Sequence, residues 1–127
     1  MSQVRRLRGT AARHSGRRAE ILAALWLIAK GYRILGFRMQ TPQGEIDLLV
    51  SRGDVLAAVE VKQRRTIEAA LEAVGFNQRQ RLRRALAAFA ARRGRKDARI
   101  RLDLMALAPG RFPRHIPGAW SEDGDQP

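Results

Sequence analysis

The 127-residue chain contains no cysteine, which excludes disulfides, thiolate metal sites and cysteine nucleophiles. That absence fits a reducing, cytoplasmic setting. It has no long apolar run either. The longest, residues 21–29, falls short of the ~20 residues a membrane-crossing helix needs. The basic N-terminal stretch is not followed by the apolar segment and cleavage site of a secretion signal, so no membrane partner is expected. Walker, GxGxxG and CxxC patterns are missing, as are internal repeats, which argues against nucleotide-cofactor chemistry. The two histidines, His14 and His115, stand alone with no partner motif, and neither reads as a metal ligand.

Acidic residues are scarce: 12 Asp and Glu against 25 Lys and Arg, for a formal charge of +13. All but three of the basic residues are arginine. A GC-rich genome would produce such a bias without selection for binding. Arginine forks nevertheless match phosphate geometry, and this charge favours a polyanionic partner, nucleic acid, over a neutral small substrate.

The length suits a single domain with one core. Residues 1–14 read as a basic flexible arm, residues 15–120 as the domain, and residues 121–127 as an acidic disordered tail. A helix is expected over residues 17–30, capped by Ser15 and ended by Gly31, with Leu22, Leu25, Trp26 and Ala29 facing the core beside Ile21 and Ile28. A strand follows over residues 32–38, bent at Gly36, and the turn Thr41-Pro42-Gln43-Gly44 leads to a hairpin. Residues 66–74 have helical character with Thr66 as N-cap. A longer helix, capped by Asn77 and stopped at Gly94, carries the stripe Leu82, Ala85, Leu86 and Phe89. Residues 99–107 alternate as a last core strand, with Arg101 and Asp103 on the face opposite Ile100, Leu102, Leu104 and Ala106, where they pair with each other or with the hairpin in a structural role. In the Pro/Gly-rich segment that follows, Ile116 and Trp120 cover the core.

The hairpin carries the chemistry. Residues 45–50 and 55–62 alternate their faces around Ser51-Arg52-Gly53-Asp54, a tight-turn sequence. An even-length loop in which facing positions sum to 105 sets Asp47 opposite Ala58 and Glu45 opposite Glu60. Asp47, Glu60 and Lys62 then share one face, while Ile46, Leu48, Val50, Val59 and Val61 point into the core. An odd loop would break both patterns, so the alternation selects the even register.

Converging carboxylates repel and are costly to bury unpaired. Two readings follow. Either they are ordinary charges on the wet face of a half-buried hairpin, or they hold a hard divalent cation, since Mg²⁺ typically uses one or two carboxylates plus waters and substrate phosphate. Glu20, in the first turns of the first helix, reads as a surface residue paired with Arg17 or favoured by the helix N-terminus. Gln63-Arg64-Arg65 is either a solvated loop or a phosphate contact at the mouth of the site. Gln78, one turn before Leu82, is either a helix-end residue or a side chain reaching the carboxylate face.

Asp47 followed by Glu60-Val61-Lys62 resembles the D…(D/E)XK signature of restriction-endonuclease-like nucleases. Gly16…Glu20, residues 31–35, Gly44-Glu45-Ile46-Asp47, Val59-Glu60-Val61-Lys62, Arg101-Leu102-Asp103 and His115-Ile116-Pro117 together resemble the YraN family, related to Holliday junction resolvases. The resemblance implies an α/β fold with an αβββαβ core, a mixed β-sheet flanked by helices. It implies Mg²⁺ or Mn²⁺ held by Asp47 and Glu60, with Glu20 as a further ligand, Lys62 and Gln78 in catalysis, and Glu45 as an auxiliary carboxylate. Arg17, Arg64, Arg65 and Arg79 become candidate nucleic-acid contacts. DNA is the implied substrate, and for a branched one a twofold homodimer would match its symmetry.

Overall fold

The computed structural model describes the backbone of residues 2–123 and the side chains from residue 16 onward. The order is α1 (Ser2–Ala29), β1 (Arg33–Thr41), β2 (Gly44–Arg52), β3 (Val55–Gln63), α2 (Ile67–Glu72), α3 (Phe76–Arg92), β4 (Arg99–Leu107), β5 (Arg114–Ile116) and a short 3-10 turn at Ser121–Asp123. The expected αβββαβ order is therefore present, with a short added helix and an added edge strand. The strands form one mixed sheet in chain order, antiparallel except for the parallel pair β3 and β4.

Both faces of this sheet are covered. On one, Leu49, Leu56, Ala58, Leu102 and Leu104 pack against α2 and the α3 stripe Leu82, Ala85, Leu86 and Phe89, with Trp120 closing the cluster. On the other, Leu48, Val50, Ala57, Val59 and Met105 pack against α1. Of the two readings of the hairpin, the wet-faced one is not what the fold shows, and one core position is corrected: Ile46, expected on the face of Leu48 and Val50, joins the α3 cluster instead. The parallel β3–β4 pair needs a crossover, and its helices cover the face that the polar positions had left open.

Helix α1 presents a different face from the one its large aliphatics suggest. Ala19, Glu20, Ala23, Ala24 and Leu27 are buried, whereas Ile21, Leu22, Leu25 and Ile28 are about half exposed. Small side chains at spacings of four let the helix approach the sheet closely, and the alanine stripe wins over the leucine stripe. The helix also begins at Ser2, so residues 2–14, expected as an arm, carry helical backbone, and Ser15 lies inside the helix rather than capping it. The stop at Gly31 is as expected: it takes φ 92°, and the Tyr32 N–H reaches back to the Leu27 carbonyl at 3.0 Å.

Thr66 caps α2 by accepting the Ala69 N–H at 3.0 Å. The N-cap of α3 is Gly75, without a side-chain bond, rather than Asn77. The tail is ordered further than its acidity suggests. Asp123 accepts hydrogen bonds from Arg79 and Arg83, and these cations hold its carboxyl below the usual range. Residues 124–127 of the expected disordered tail lie outside the described residues. Among the described residues no helix is long and apolar enough to cross a membrane.

Candidate active site

The β2–β3 hairpin turns at Gly53-Asp54, with Gly53 at φ 59°. Leu48 pairs with Val59 and Arg52 with Val55, so facing positions sum to 107 rather than 105. The offset is two residues, and the even parity that puts Asp47, Glu60 and Lys62 on one face is kept. Its consequence is closer convergence: Asp47 stands level with Glu60, not with Ala58.

The backbone ladder between β2 and β3 ends at Leu48 and Val59. Beyond it the two carboxylates take over its hydrogen bonds. The Asp47 N–H donates to Glu60 Oε2 at 3.3 Å, and the Val61 N–H donates to Asp47 Oδ2 at 2.9 Å. Each acid is thereby held by the other's strand, which fixes the two side chains next to one another. Gln78, from the first turns of α3, donates from Nε2 to Glu60 Oε1 at 3.4 Å. The sheetward reach expected of that residue is present.

These groups line a cleft of about 280 Å³ together with Gln43, Gly44, Glu45, Lys62, Arg81 and Leu82. Glu60 is 1 % exposed. Burial, and then the negative charge of Asp47, push its carboxyl up to about 8. Burial also raises Asp47, opposed by the Val61 N–H, Lys62 and Arg38. Both carboxyls thus stand above their ordinary range, and at this separation they titrate as a pair. Lys62 bears on both carboxylates electrostatically, yet makes no ion pair among the described residues, so its ammonium is available to the cleft.

Glu20 is buried, and its Oε1 accepts Arg38 Nε at 2.7 Å. Among the described residues no group of three or more His, Asp or Glu is arranged to hold a metal. The expected three-carboxylate set is therefore not gathered as one cluster: Asp47 and Glu60 meet, and Glu20 is held aside. The link between them is Arg38, which the sequence reading missed. Its charge reaches Glu45 and Asp47 as well as Glu20, and its guanidinium passes beside Gly16, where an added Cβ would lie 3.2 Å from it. The turn at Thr41–Gly44 carried a signal for it. That turn sets Phe37 opposite Leu48 and Met39 opposite Ile46, which puts Arg38 level with Asp47.

Arg38 is also the one described non-glycine residue with positive φ, at 47°, a conformation that costs about 1–3 kcal/mol and concentrates at functional sites. Arg38→Ala is expected to leave Glu20 buried without its partner and to lower stability by about 1–3 kcal/mol. Arg38→Gly removes the same partner but tolerates the backbone, and is expected to lose about 1 kcal/mol less than Arg38→Ala. Urea denaturation of both variants checks this, and equal losses would remove backbone strain from the account.

The predicted nucleic-acid contacts fare differently. Arg17 is exposed on α1. Arg64 and Arg65 are exposed but do not line the carboxylate cleft; they border two other clefts at the ends of β3 and β4. Arg79 is corrected, because its guanidinium is taken up by Asp123 and the Val74 carbonyl and lies over Phe76 and Trp120. A chain end far away in sequence supplied its partner.

Behind the sheet, Asp103 forms a second polar centre. It is fully buried and accepts from Arg101 Nε at 2.7 Å and Nη2 at 2.8 Å, and from the Gly118 N–H at 3.1 Å, with His115 Nε2 at 2.8 Å. Burial pushes this carboxyl up, but the bonds from His115 and Arg101 outweigh it and hold it below the usual range. Arg101 also donates to the Tyr32 hydroxyl at 2.6 Å. The expected Arg101–Asp103 pairing is present, and His115, read as lone, is part of it.

Residues 19–107 match the sequence model of a family described as "Uncharacterised protein family UPF0102". The span includes both strands of the carboxylate pair and Gln78. The chain is similar to a UPF0102 protein of Caulobacter vibrioides, 69% identical over 118 residues, covering 92% of this chain and 94% of the relative. It is also similar to a UPF0102 protein of Paramagnetospirillum magneticum, 48% identical over 118 residues, covering 89% and 92% of the two chains. A third relative, from Parvibaculum lavamentivorans, is 48% identical over 113 residues, covering 88% and 85%.

Proposed function

The chain belongs to the UPF0102 family, of which YraN is another name, and from the chemistry of its cleft we propose that it is a metal-dependent nuclease hydrolysing phosphodiester bonds in DNA. The observation that carries this reading is the reciprocal carboxylate pair, Asp47 and Glu60, with a free lysine beside it. Two buried acids side by side, raised by burial despite Lys62 and Arg38 nearby, are a poor structural device. They are a good seat for a hard cation.

The donor set fits Mg²⁺ or Mn²⁺: carboxylate oxygens from Asp47 and Glu60, with the remaining positions left for waters and substrate phosphate. Bound there, such an ion supplies Lewis-acid polarisation of the scissile phosphate and a lowered pKa for its water. The chain's own residues do the rest. Gln78 fixes the orientation of Glu60. Lys62 orients the attacking water or stabilises charge developing on the phosphate oxygens. Glu45 is an auxiliary carboxylate, and Arg38 balances the acids while holding Glu20.

The reading is tested by incubating purified protein with single-stranded, flapped, branched and duplex DNA in Mg²⁺ or Mn²⁺. Cleavage that EDTA abolishes supports it; none under any condition defeats it, and salt-dependent DNA binding without cleavage would then mark a binding protein that does not hydrolyse. Metal binding is also expected to release protons, because Glu60 must ionise. Its affinity should therefore climb as pH rises toward 8 and level off above. Calorimetry in two buffers of different ionisation enthalpy measures the released proton, and pH-independent binding would place the ion elsewhere. A homodimer, which would suit a twofold-symmetric junction, is tested by sedimentation with and without branched DNA.

A further inference from the structure

At the carboxyl ends of β3 and β4 the structure holds two adjoining clefts outside the carboxylate site. One, of about 440 Å³, lies on the α1 side with Ala19, Leu22 and Leu107 in its floor. The other, of about 470 Å³, lies on the α2 side over Ala106 and Ile67. Arg64, Arg65 and Arg111 border both, Arg18 adds to the first, and Arg114 adds to the second. Glu68 is the single carboxylate among these lining residues. The guanidinium groups of four of the five arginines, all but Arg64, make no hydrogen bond or ion pair among the described residues. Arg64 spends one donor on the neighbouring Gln63 carbonyl, and its backbone N–H ties the strand ends together at the Leu107 carbonyl.

Beside them stands an aromatic that the core does not use. Phe112 is 80 % exposed, and its ring lies 5.9 Å from that of Trp26. An exposed ring flanked by unpaired guanidinium groups offers a stacking face and anion donors side by side, a pairing that suits a flat, anionic ligand. We propose that these clefts bind unpaired nucleic acid, with phosphates on Arg64, Arg65 and Arg111 and a base stacked on Phe112. The combination selects a single strand over a duplex. In a duplex the flat faces of the bases are already stacked on one another, so it can offer phosphate to arginine but nothing to the ring or the apolar floors.

The placement deepens the nuclease reading and rests on it for its purpose. Lys62 faces the carboxylate cleft, and Gln63, the next residue, lines the first basic cleft. Successive residues of one strand thus open onto both. The two openings lie one residue apart along β3 but on opposite sides of the sheet. A strand gripped at the end of β3 must therefore bend round that strand end to reach the acids, and the favoured substrate carries an unpaired, flexible segment next to the scissile bond.

The test uses the full chain in EDTA, with anisotropy of a labelled oligothymidylate of about 20 nucleotides against a duplex of the same length, titrated in salt. The single strand is expected to bind more tightly. Phe112→Ala should weaken that binding about tenfold without disturbing the core, since the ring is exposed. The triple variant R64A/R65A/R111A should lower the salt slope for the single strand by about two. Duplex binding as tight as single-strand binding, or an unchanged Phe112→Ala, overturns the proposal. Binding that follows these expectations in a protein without metal-dependent cleavage sustains it and defeats the nuclease reading. Cleavage that survives while the variants bind like the parent defeats this inference alone.

Discussion

Glu60→Gln is expected to reduce metal-dependent cleavage by roughly 10³-fold, the order seen when a single charge-stabilising group is removed from an active site. The same substitution should not destabilise the protein at neutral pH. The parent side chain is buried, with a carboxyl raised to about 8, so without metal it is largely the neutral acid there, and glutamine keeps that shape and neutrality. The sign of the linkage follows from the raised value. Between the ordinary 4.5 and about 8 the folded chain holds this proton and the unfolded chain does not. Its contribution is therefore fully present below about 4.5 and lost as pH rises through about 8. In EDTA the parent should lose roughly 2–5 kcal/mol across that window, and Glu60→Gln should lack most of this slope. Asp47→Asn should match the loss of cleavage. Retained cleavage in either variant, or a Glu60→Gln stability profile parallel to the parent's, would remove the carboxylate pair from the mechanism.

Asp103→Ala is expected to have the largest effect on stability, about 3–5 kcal/mol, because it strips a buried acceptor from Arg101, His115 and the Gly118 N–H at once. These contacts tie β4 to the segment after β5, and that segment brings in Trp120 as part of the core. Asp103→Asn keeps the shape and some acceptor capacity and should cost less. The pH sign here is opposite to that of Glu60. A carboxyl held below its ordinary value contributes stability that is present above the unfolded-state pKa and lost as pH falls through the folded one. Urea denaturation at pH 7 and in acid measures both effects. A loss under about 1 kcal/mol for Asp103→Ala would mean that water replaces the carboxylate and the network is not a fastening.

Much of this was legible beforehand. The parity that brings Asp47, Glu60 and Lys62 to one face follows from strand alternation, which is local and indifferent to an offset of two residues. The α3 stripe from Leu82 to Phe89, the stop at Gly31 and the Thr66 cap are equally local. The face of α1 was not legible, because leucines and alanines each repeat at helical spacing and only the approach of the sheet chooses between them. Arg79 read as a surface cation until a carboxylate forty-four positions later met it.

What the amino-acid sequence by itself determined is the order of elements and the chemistry each strand and helix carries, since backbone geometry imposes periods of 2 and 3.6 wherever the chain happens to pack. What only the tertiary structure decided is how far each charge is withdrawn from water and which distant partner answers it: Glu60 sealed beneath α3, Glu20 held by Arg38, and five arginines left open at the strand ends. Desolvation and charge pairing depend on groups brought together from remote parts of the chain, so no local pattern encodes them.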